Sequence, residues 1–294
     1  MSLRGNLAYG TYRLLGALTG PLPPSIGYGM ARRVGRLLYR FDHRLRRALT
    51  HNIRHVVGPD VAEEEVQALV REACVNIAKG HYDLFRVNRL AEDEIMALTR
   101  IEGLEYVEQA LAEGRGVILV SAHLGNVDLV GQLPMVYGVP LTAVAWRTEP
   151  ERLFRYALSL RQSRGLRLLP SDGPMMDLFR ALRRGELILL GLDRAVSDNV
   201  RPVDFFGSPA PLPDGPVRVA LRTGAPLIPG FALRHPDDTF LIQLEPPVEL
   251  PNTGDREADV AAGMRMVVAI MERYIAEHPE QWMVSVPVWP MDSP

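Results

Sequence analysis

Two patterns of apolar positions divide the chain near position 100. Before that point, apolar residues recur three and four positions apart, which is the spacing of amphipathic helices. After it, short apolar runs alternate with stretches of helical spacing, as expected for strands joined by helical crossovers. We therefore expect an α/β fold that forms one unit over 1–294. It would have a mostly parallel sheet flanked by helices at 101–294 and a helical layer at 1–100.

The individual elements are predicted from these patterns and from the Gly, Pro and Asn residues that bound them. Helices are predicted at 3–19, 25–47, 62–85, 91–98, 104–112, 127–137, 150–161, 174–183, 215–222 and 257–277. Strands are predicted at 117–120, 141–145, 166–169, 187–192, 226–233 and 240–244, and a loop at 193–213.

The predicted strand at 117–120 runs into the sequence Ser-Ala-His-Leu-Gly-Asn-Val-Asp, which ends at Asp128. The strand delivers His123 to its carboxyl end, the edge at which open α/β sheets bind ligands. An aspartate that accepts the imidazole N–H fixes the tautomer of a histidine base. His123 and Asp128 are therefore candidate catalytic residues. Alternatively, His123 only ends a strand, and Asp128 only complements a helix dipole.

Other charged residues follow the predicted strands or end a predicted helix. Arg147 follows the strand at 141–145, and Arg161 and Arg164 lie where the helix at 150–161 ends. Asp193 and Arg194 follow the strand at 187–192. A guanidinium group holds two phosphate oxygens at once, so the arginines are candidates for substrate binding. Asp193 and Arg194 could orient an acceptor hydroxyl and are candidates for the same reason of position. The alternatives are arginines that complement a helix dipole and a structural Asp193–Arg194 ion pair.

Composition excludes several classes of protein. Of the 294 residues, 47% are hydrophobic and 23% charged, which is typical of a folded chain. A net charge of -2 and the lack of a nucleic-acid motif argue against a nucleic-acid partner. One cysteine, Cys74, excludes an intrachain disulfide and a cysteine-rich metal site. The seven histidines show no ligand spacing, so we expect no metal.

The N-terminal region has no pattern of a signal peptide and no apolar run of about 18 residues. The predicted helix at 25–47 has one apolar and one basic side. Its apolar side carries Ile26, Met30, Val34, Leu37, Leu38, Phe41 and Leu45, and its basic side Arg32, Arg36, Arg40, Arg44 and Arg47. Such a helix can lie on an anionic membrane. The alternative is a packed helix with a solvated arginine face.

The motif Ser-Ala-His-Leu-Gly-Asn-Val-Asp-Leu resembles the His-x-x-x-x-Asp motif of the glycerolipid and lysophospholipid acyltransferases. Within them it resembles the bacterial lipid A and phosphatidylinositol mannoside acyltransferase branch. Further blocks that resemble this branch are Asp193-Arg194, Val203–Gly207, Thr223–Pro229 and His278–Met283. Val127 stands where that branch often has an aromatic residue. The resemblance covers about 103 to 290.

The resemblance implies a glycerol-phosphate acyltransferase-like core. It also implies transfer of a fatty acyl chain from acyl-CoA or acyl carrier protein to a hydroxyl of a lipid-linked sugar. His123 would be the general base with Asp128 as its partner, and Arg161 a functional arginine. Backbone N–H groups near Gly125 and Asn126 would hold the oxyanion. No cofactor is expected besides the thioester co-substrate, and the protein is expected on the cytoplasmic face of the inner membrane.

Several questions stay open from the sequence. A thioesterase or lipid hydrolase could use water at the same site, although no Gly-x-Ser-x-Gly elbow is present. A lipid-binding protein without catalysis is the other alternative. Asn-x-Asp and Asp-Arg favour the phosphatidylinositol mannoside type over the lipid A type. Phe205 and Phe206 either line an acyl groove or fill the core, and His81 is interpreted as structural.

Overall fold

The computed structural model describes residues 3–147, 149–171, 173, 176–195 and 200–291. Its α-helices are α1 Leu3–Thr19, α2 Pro24–Phe41, α3 His43–Val57, α4 Glu63–Arg86, α5 Glu92–Ala97, α6 Leu104–Ala112, α7 Val127–Val130, α8 Leu133–Val136, α9 Glu151–Arg161, α10 Met176–Arg183, α11 Gly215–Thr223 and α12 Arg256–Glu277. Its strands are β1 Thr99–Glu102, β2 Val117–Ser121, β3 Leu141–Ala145, β4 Arg167–Pro170, β5 Leu187–Gly191, β6 Arg201–Phe205, β7 Ser208–Leu212, β8 Leu227–Arg234 and β9 Phe240–Leu244.

The central sheet has seven strands in the order β1-β9-β8-β2-β5-β3-β4. All neighbouring strands are parallel except β8 and β9, which are antiparallel. The predicted α/β fold with a mostly parallel sheet flanked by helices is confirmed. Strands β6 and β7 form a separate antiparallel hairpin.

Alternating residues of the strands build a core on each face of the sheet. Ile188 and Leu190 of β5 belong to one core, together with residues of α10, α11 and α12. Leu187 and Leu189 point to the other face, which α6 and α8 cover. Because both faces are covered, the central strands β2 and β5 are apolar along most of their length, as the sequence of β2 already indicated.

The register between β2 and β5 brings together two segments that are far apart in the chain. Ser121 lies opposite Gly191 at the carboxyl ends of these parallel strands. The ladder continues beyond them, since the Leu192 N–H donates to the Ser121 carbonyl at 3.1 Å. His123 and Asp193 each lie two residues beyond this pair, so the register places them side by side.

Helix α2 packs on α4 through its smallest residues. A Cβ atom at Gly27 would lie 2.1 Å from a Tyr82 ring carbon, and one at Gly35 would lie 2.4 Å from the Val75 Cα. The opposite side of α2 is an apolar stripe whose side chains are 39% to 67% exposed. The stripe consists of Ile26, Met30, Val34, Leu37 and Phe41. Within the described part of the chain, no helix has the length and apolar content needed to cross a membrane.

Several predicted elements need correction. The single helix predicted at 25–47 is two helices, because the Asp42 carboxylate accepts the Leu45 N–H and caps the start of α3. The helix predicted at 127–137 is likewise two short helices. The predicted loop at 193–213 contains the β6–β7 hairpin, and strand β1 was not predicted. Pro174 and Met175, predicted to start α10, lie outside the described residues.

Candidate active site

His123 lies beyond the carboxyl end of β2 and is held by Asp193. Its Nδ1 is 2.7 Å from Asp193 Oδ1, and its backbone N–H donates to Asp193 Oδ2 at 2.7 Å. The Trp282 indole N–H donates to the same Oδ2 at 2.8 Å. The His123 side chain is 34% exposed, whereas the Asp193 side chain is fully buried. The carboxylate therefore supports the imidazole from behind.

The surroundings of Asp193 favour the ionised carboxylate, since both of its oxygens lie against N–H groups. Burial alone would raise the pKa, but the neighbouring His123 and the three hydrogen bonds lower it below its ordinary value. An ionised carboxylate only accepts hydrogen bonds, so Nδ1 of His123 carries the proton that it shares with Asp193. In the neutral imidazole, Nε2 is then the unprotonated nitrogen.

The predicted pairing of His123 with Asp128 is wrong in the structure. Asp128 instead binds Arg161 through two hydrogen bonds, Nε to Oδ1 at 2.6 Å and a terminal nitrogen to Oδ2 at 3.1 Å. Burial would raise the pKa of Asp128, yet the charge and hydrogen bonds of Arg161 lower it. His123 faces Asp193 because β2 and β5 are neighbours, while Asp128 has already turned away into α7.

The turn between His123 and Asp128 is fixed by buried polar contacts. The Asn126 side-chain oxygen accepts the N–H groups of Asp128 and Leu129, which caps α7. Its amide nitrogen donates to the buried Asp83 of α4 at 2.6 Å. The N–H of Gly125 donates to the Gln281 carbonyl at 3.0 Å, so this amide, expected to hold an oxyanion, is already used.

Asp83 connects this turn to the N-terminal helices and to β8. Its carboxylate accepts the Tyr28 hydroxyl of α2 at 2.6 Å and pairs with Arg234 of β8. Arg234 also donates to Asp238 at 3.0 Å, and Lys79 of α4 lies 2.8 Å from the same carboxylate. This buried network satisfies its charges in pairs, as buried charges require.

A cavity of about 1460 Å³ opens in front of His123. Its lining includes His123, Asp128, Arg161 and Arg194, but neither Arg147 nor Arg164. On the α6 and α8 side of the sheet the lining is apolar. The residues there include Leu141, Ala143, Leu166, Leu168 and Leu189, with Phe154 of α9 nearby. Other lining residues, among them Leu178, Leu190 and Val219, belong to the face covered by α10 and α11.

His81 and Tyr12 line the same cavity and were not identified from the sequence. The Tyr12 hydroxyl lies 2.9 Å from His81 Nδ1. Burial lowers the pKa of His81. The Asp128 carboxylate opposes this shift, and the positive charge of Arg161 adds to it. A helical spacing pattern on α4 alone gives no signal for this contact, since Tyr12 comes from α1.

The remaining candidate residues occupy different positions. Arg147 is 48% exposed and pairs with Glu151, four residues along the chain. Arg164 donates to the backbone carbonyls of Val87 and Leu90 and so joins the end of α9 to the end of α4. Because neither side chain lines the cavity, the structure gives no support to the predicted contacts of these two arginines with a substrate.

The alternative of an Asp193–Arg194 ion pair does not hold either, since Asp193 binds His123. Nor is Asp193 placed to touch a substrate, because it is buried behind the imidazole. The Arg194 guanidinium lies over the Trp146 ring at 5.6 Å and faces the cavity.

Aromatic residues pack beneath Asp193. Phe205 is fully buried and stacks on Trp289 at 5.3 Å between ring centroids. It also meets Trp282 edge to face. Phe205 and Phe206 are not among the residues that line the cavity, so they fill the core beneath the site. Over the described ranges, no three His, Cys, Asp or Glu side chains are grouped as ligands of a metal ion.

The fold and the site define an α/β protein in which a histidine bound by a carboxylate lies at the edge of a mostly parallel sheet. This histidine faces a large cavity that is apolar on one side. The chain belongs to the bacterial lipid A biosynthesis acyltransferase family, whose model matches residues 8–289. The resemblance inferred from the sequence motifs is thereby confirmed.

Curated relatives from several bacteria carry related names. The phosphatidylinositol mannoside acyltransferase of Mycobacterium tuberculosis is 32% identical over 196 residues, which are 65% of this chain and 60% of that protein. The chain therefore matches about three fifths of the length of this relative. The phosphatidylinositol mannoside acyltransferase of Mycolicibacterium smegmatis is 29% identical over 83% of this chain and 79% of that protein. The lipid A biosynthesis lauroyltransferase of Escherichia coli is 24% identical over 89% and 84%.

Proposed function

We propose that this protein is an O-acyltransferase that moves a fatty acyl chain from a thioester to a hydroxyl of a lipid-linked sugar. One observation carries the proposal: a histidine held by a buried, ionised aspartate faces a cavity that is large enough and apolar enough for an acyl chain. Family membership and the names of the relatives support the same class of reaction.

His123 acts as the general base. Its Nε2 takes the proton of the acceptor hydroxyl while that oxygen attacks the thioester carbonyl carbon. The tetrahedral oxyanion then collapses, the carbon–sulfur bond breaks, and the proton on Nε2 passes to the leaving thiolate. The ester and a free thiol are the products, and no acyl-enzyme forms.

Asp193 is the positioning residue of this pair. It holds Nδ1–H at 2.7 Å, which fixes the tautomer with Nε2 unprotonated and stabilises the imidazolium that forms. The two N–H groups on Oδ2, from the His123 backbone and from Trp282, keep the carboxylate in place. Asp193 therefore takes the role that the sequence motif suggested for Asp128.

Asp128 and Arg161 face the acceptor. Both line the cavity beside His123, and their side chains are 23% and 30% exposed. The paired carboxylate and guanidinium groups, with His81 and Tyr12 nearby, offer donors and acceptors of the kind that bind sugar hydroxyls and phosphates. The relatives' names favour a phosphatidylinositol mannoside as the acceptor.

The N-terminal helices bring the protein to the membrane. Four leucines of α1 are 46% to 71% exposed, in addition to the apolar stripe of α2. Arg33, Arg36 and Arg40 are exposed on α2 beside that stripe. Exposed apolar side chains with flanking arginines fit the cytoplasmic surface of an anionic inner membrane. Because Tyr12 of α1 also lines the cavity, this surface lies next to the acceptor side of the site.

The test is acyl transfer from radiolabelled palmitoyl-CoA to phosphatidylinositol mannosides in mixed vesicles, with wild type compared with His123→Gln. Label is expected in the glycolipid with the wild type and is expected to fall by at least about 10³-fold in the variant. Release of free palmitate without acceptor labelling would indicate a thioesterase instead. Equal transfer by both proteins would remove His123 from the mechanism.

A further inference from the structure

We call the apolar lining on the α6 and α8 side of the sheet the apolar arm of the cavity. The cavity has a second arm to which the steps described above assign no role. Beyond the sheet edge it is lined by four arginines from three parts of the chain. We call them the arginine arm: Arg194 after β5, Arg218 and Arg222 of α11, and Arg256 of α12. Asp214 is the only acidic residue near them among the described residues that line the cavity, apart from Asp128 on the acceptor side.

Among the described residues, Arg218 alone of the four arginines has carboxylate partners. Arg218 binds Asp214 and Glu257 at 2.7 to 2.9 Å, and Arg201 of β6 shares both of these carboxylates. These two acidic groups are thus offset by Arg201 and Arg218. In the described parts of the structure, Arg194, Arg222 and Arg256 form no ion pair, so the arm carries an excess of three positive charges.

Arg194 is the innermost member of the arginine arm. Its Nε is buried and has no hydrogen-bond partner among the residues that the structure describes. Burial lowers the pKa of this guanidinium, although the nearby Asp193 carboxylate opposes the shift. A buried donor without a partner is unfavourable, so an anion that accepts from it is favoured. At the outer end, the Arg222 guanidinium lies 4.8 Å above the Phe179 ring, which also lines the cavity.

We infer that the arginine arm binds a phosphate group of a substrate while the acyl chain occupies the apolar arm on the other face of the sheet. The inference rests on the proposed transfer reaction. Guanidinium groups hold phosphate oxygens in pairs, and three uncompensated arginines in one cavity attract a polyanion. The phosphate is carried either by a thioester donor with a nucleotide or phosphopantetheine end, or by the lipid headgroup of the acceptor.

The order of groups in a phosphorylated thioester matches the order of groups in the cavity. The donor has an acyl chain, then a carbonyl carbon, then a polar linker and its phosphates. The cavity has the apolar arm on one face of the sheet, His123 at the sheet edge, and the arginine arm on the other face. A donor bound in this direction places its reacting carbonyl beside His123.

The experiment compares Arg222→Gln/Arg256→Gln with the control Arg183→Gln/Arg265→Gln. All four arginines are exposed, and the control pair removes the same charge from α10 and α12 outside the cavity lining. Donors are palmitoyl-CoA and palmitoyl-pantetheine, which has no phosphate, and the acceptor is purified phosphatidylinositol mannoside. Isothermal titration with adenosine 3′,5′-bisphosphate and with glycerophosphoinositol measures phosphate binding without turnover.

If the donor supplies the phosphate, the cavity variant raises the KM for palmitoyl-CoA about tenfold. The KM for palmitoyl-pantetheine stays unchanged, and binding of adenosine 3′,5′-bisphosphate weakens. If the acceptor supplies it, the KM for the mannoside rises with both donors, and binding of glycerophosphoinositol weakens. The inference is overturned if the cavity variant matches the control in every KM and in both titrations.

A failure of the proposed reaction remains distinguishable. In that case the wild type transfers no label from either donor, while the two titrations still compare the cavity variant with the control. Weaker binding of either probe by the cavity variant alone then supports the phosphate site. Identical titrations of both variants reject it. Urea denaturation is expected to show equal stability of both variants, since none of the four residues forms an ion pair within the described residues.

Discussion

Helix α2 and the carboxyl edge of the sheet each depart from the usual arrangement of apolar side chains inside and charged side chains outside. On α2, glycines pack against α4, while Leu37 and Phe41 are 54% and 67% exposed. At the sheet edge, Asp83 and Asp193 are fully buried, and each accepts at least three hydrogen bonds. Exposed large apolar groups and buried charges both lower the stability of a folded chain unless they have partners.

The difference concerns where the partners are found. Every buried carboxylate at the sheet edge has its partners within the protein, so its arrangement is complete and serves to orient other groups. The apolar stripe of α2 has no partner among the described residues. Under the proposed membrane contact, its partner is an apolar surface outside the chain. The following predictions test each side of this contrast, beginning with the largest expected effect.

Asp193→Asn is expected to lower kcat by about 10³-fold. Oδ2 of Asp193 accepts from two N–H groups, so the oxygen of an asparagine must stay there and its NH₂ group must face His123 Nδ1. Nδ1 then becomes the acceptor, the ring proton moves to Nε2, and the base is lost. The measurement is steady-state transfer at saturating acceptor.

Asp128→Asn is the matched comparison for that variant. Because Asp128 binds Arg161 and not His123, its loss is expected to raise the KM for the acceptor about tenfold with a smaller change in kcat. The assignment of Asp193 as the partner of His123 is contradicted if Asp128→Asn lowers kcat by about 10³-fold and Asp193→Asn does not.

Gly35→Leu is expected to lower the free energy of unfolding by about 3 kcal/mol. The added Cβ would lie 2.4 Å from the Val75 Cα, so α2 and α4 must separate. Gly29→Ala on the same helix is the control, since nothing lies within 4 Å of its added Cβ. It is expected to raise stability by about 0.5–1 kcal/mol. Urea denaturation measures both, and equal losses would show that the glycine face is not the packing face.

Leu37→Ser/Phe41→Ser is expected to weaken binding to phosphatidylglycerol vesicles about tenfold, because two apolar side chains no longer leave water. The control Met96→Ser/Met266→Ser changes two side chains that are 44% and 40% exposed on α5 and α12. Cosedimentation of protein with vesicles gives the affinities. Unchanged affinity in the first variant, or the same loss in both, would show that α2 does not contact the membrane.

Glu257→Gln is expected to give the smallest effect, a change in how stability depends on pH. The hydrogen bond from Arg218, helped by that from Arg201 and opposed by desolvation, lowers the pKa of Glu257 from 4.5 to about 2. A depressed pKa contributes stability above pH 4.5, which is lost as the pH falls from 4.5 towards 2. The variant should therefore lose less stability than the wild type over that range, and parallel urea curves for the two proteins would contradict this.

The local part of the fold could be predicted from the sequence because it depends on nearby residues. Helical spacing and short apolar runs placed α6 and β3 at their observed bounds. The order of strands is not a local property, so nothing in the pattern indicated that β2 lies beside β5. His123 was therefore assigned to the carboxylate five residues away and not to Asp193, its partner 70 positions further on.

On α2 and α4, the sequence pattern did not show which neighbours the side chains would face. The spacing of apolar residues predicted one apolar face on α2, and the usual rule that such a face is buried does not hold there. The signal for the buried face was the spacing of Gly27, Ala31 and Gly35 on the other side. His81 had no signal at all, because its contact with Tyr12 depends on how α1 docks.

Because the Trp282 indole holds Asp193, the order in which the chain is synthesised determines when the site is complete. As the ribosome extends the chain, His123 emerges first, Asp193 follows 70 residues later, and Trp282 follows after another 89. A nascent chain can form β2 and its neighbouring helices long before the carboxylate behind the imidazole is held in place. The support behind the imidazole is therefore complete only after Trp282 has been synthesised, so a shorter nascent chain lacks the contact that holds Asp193 in place.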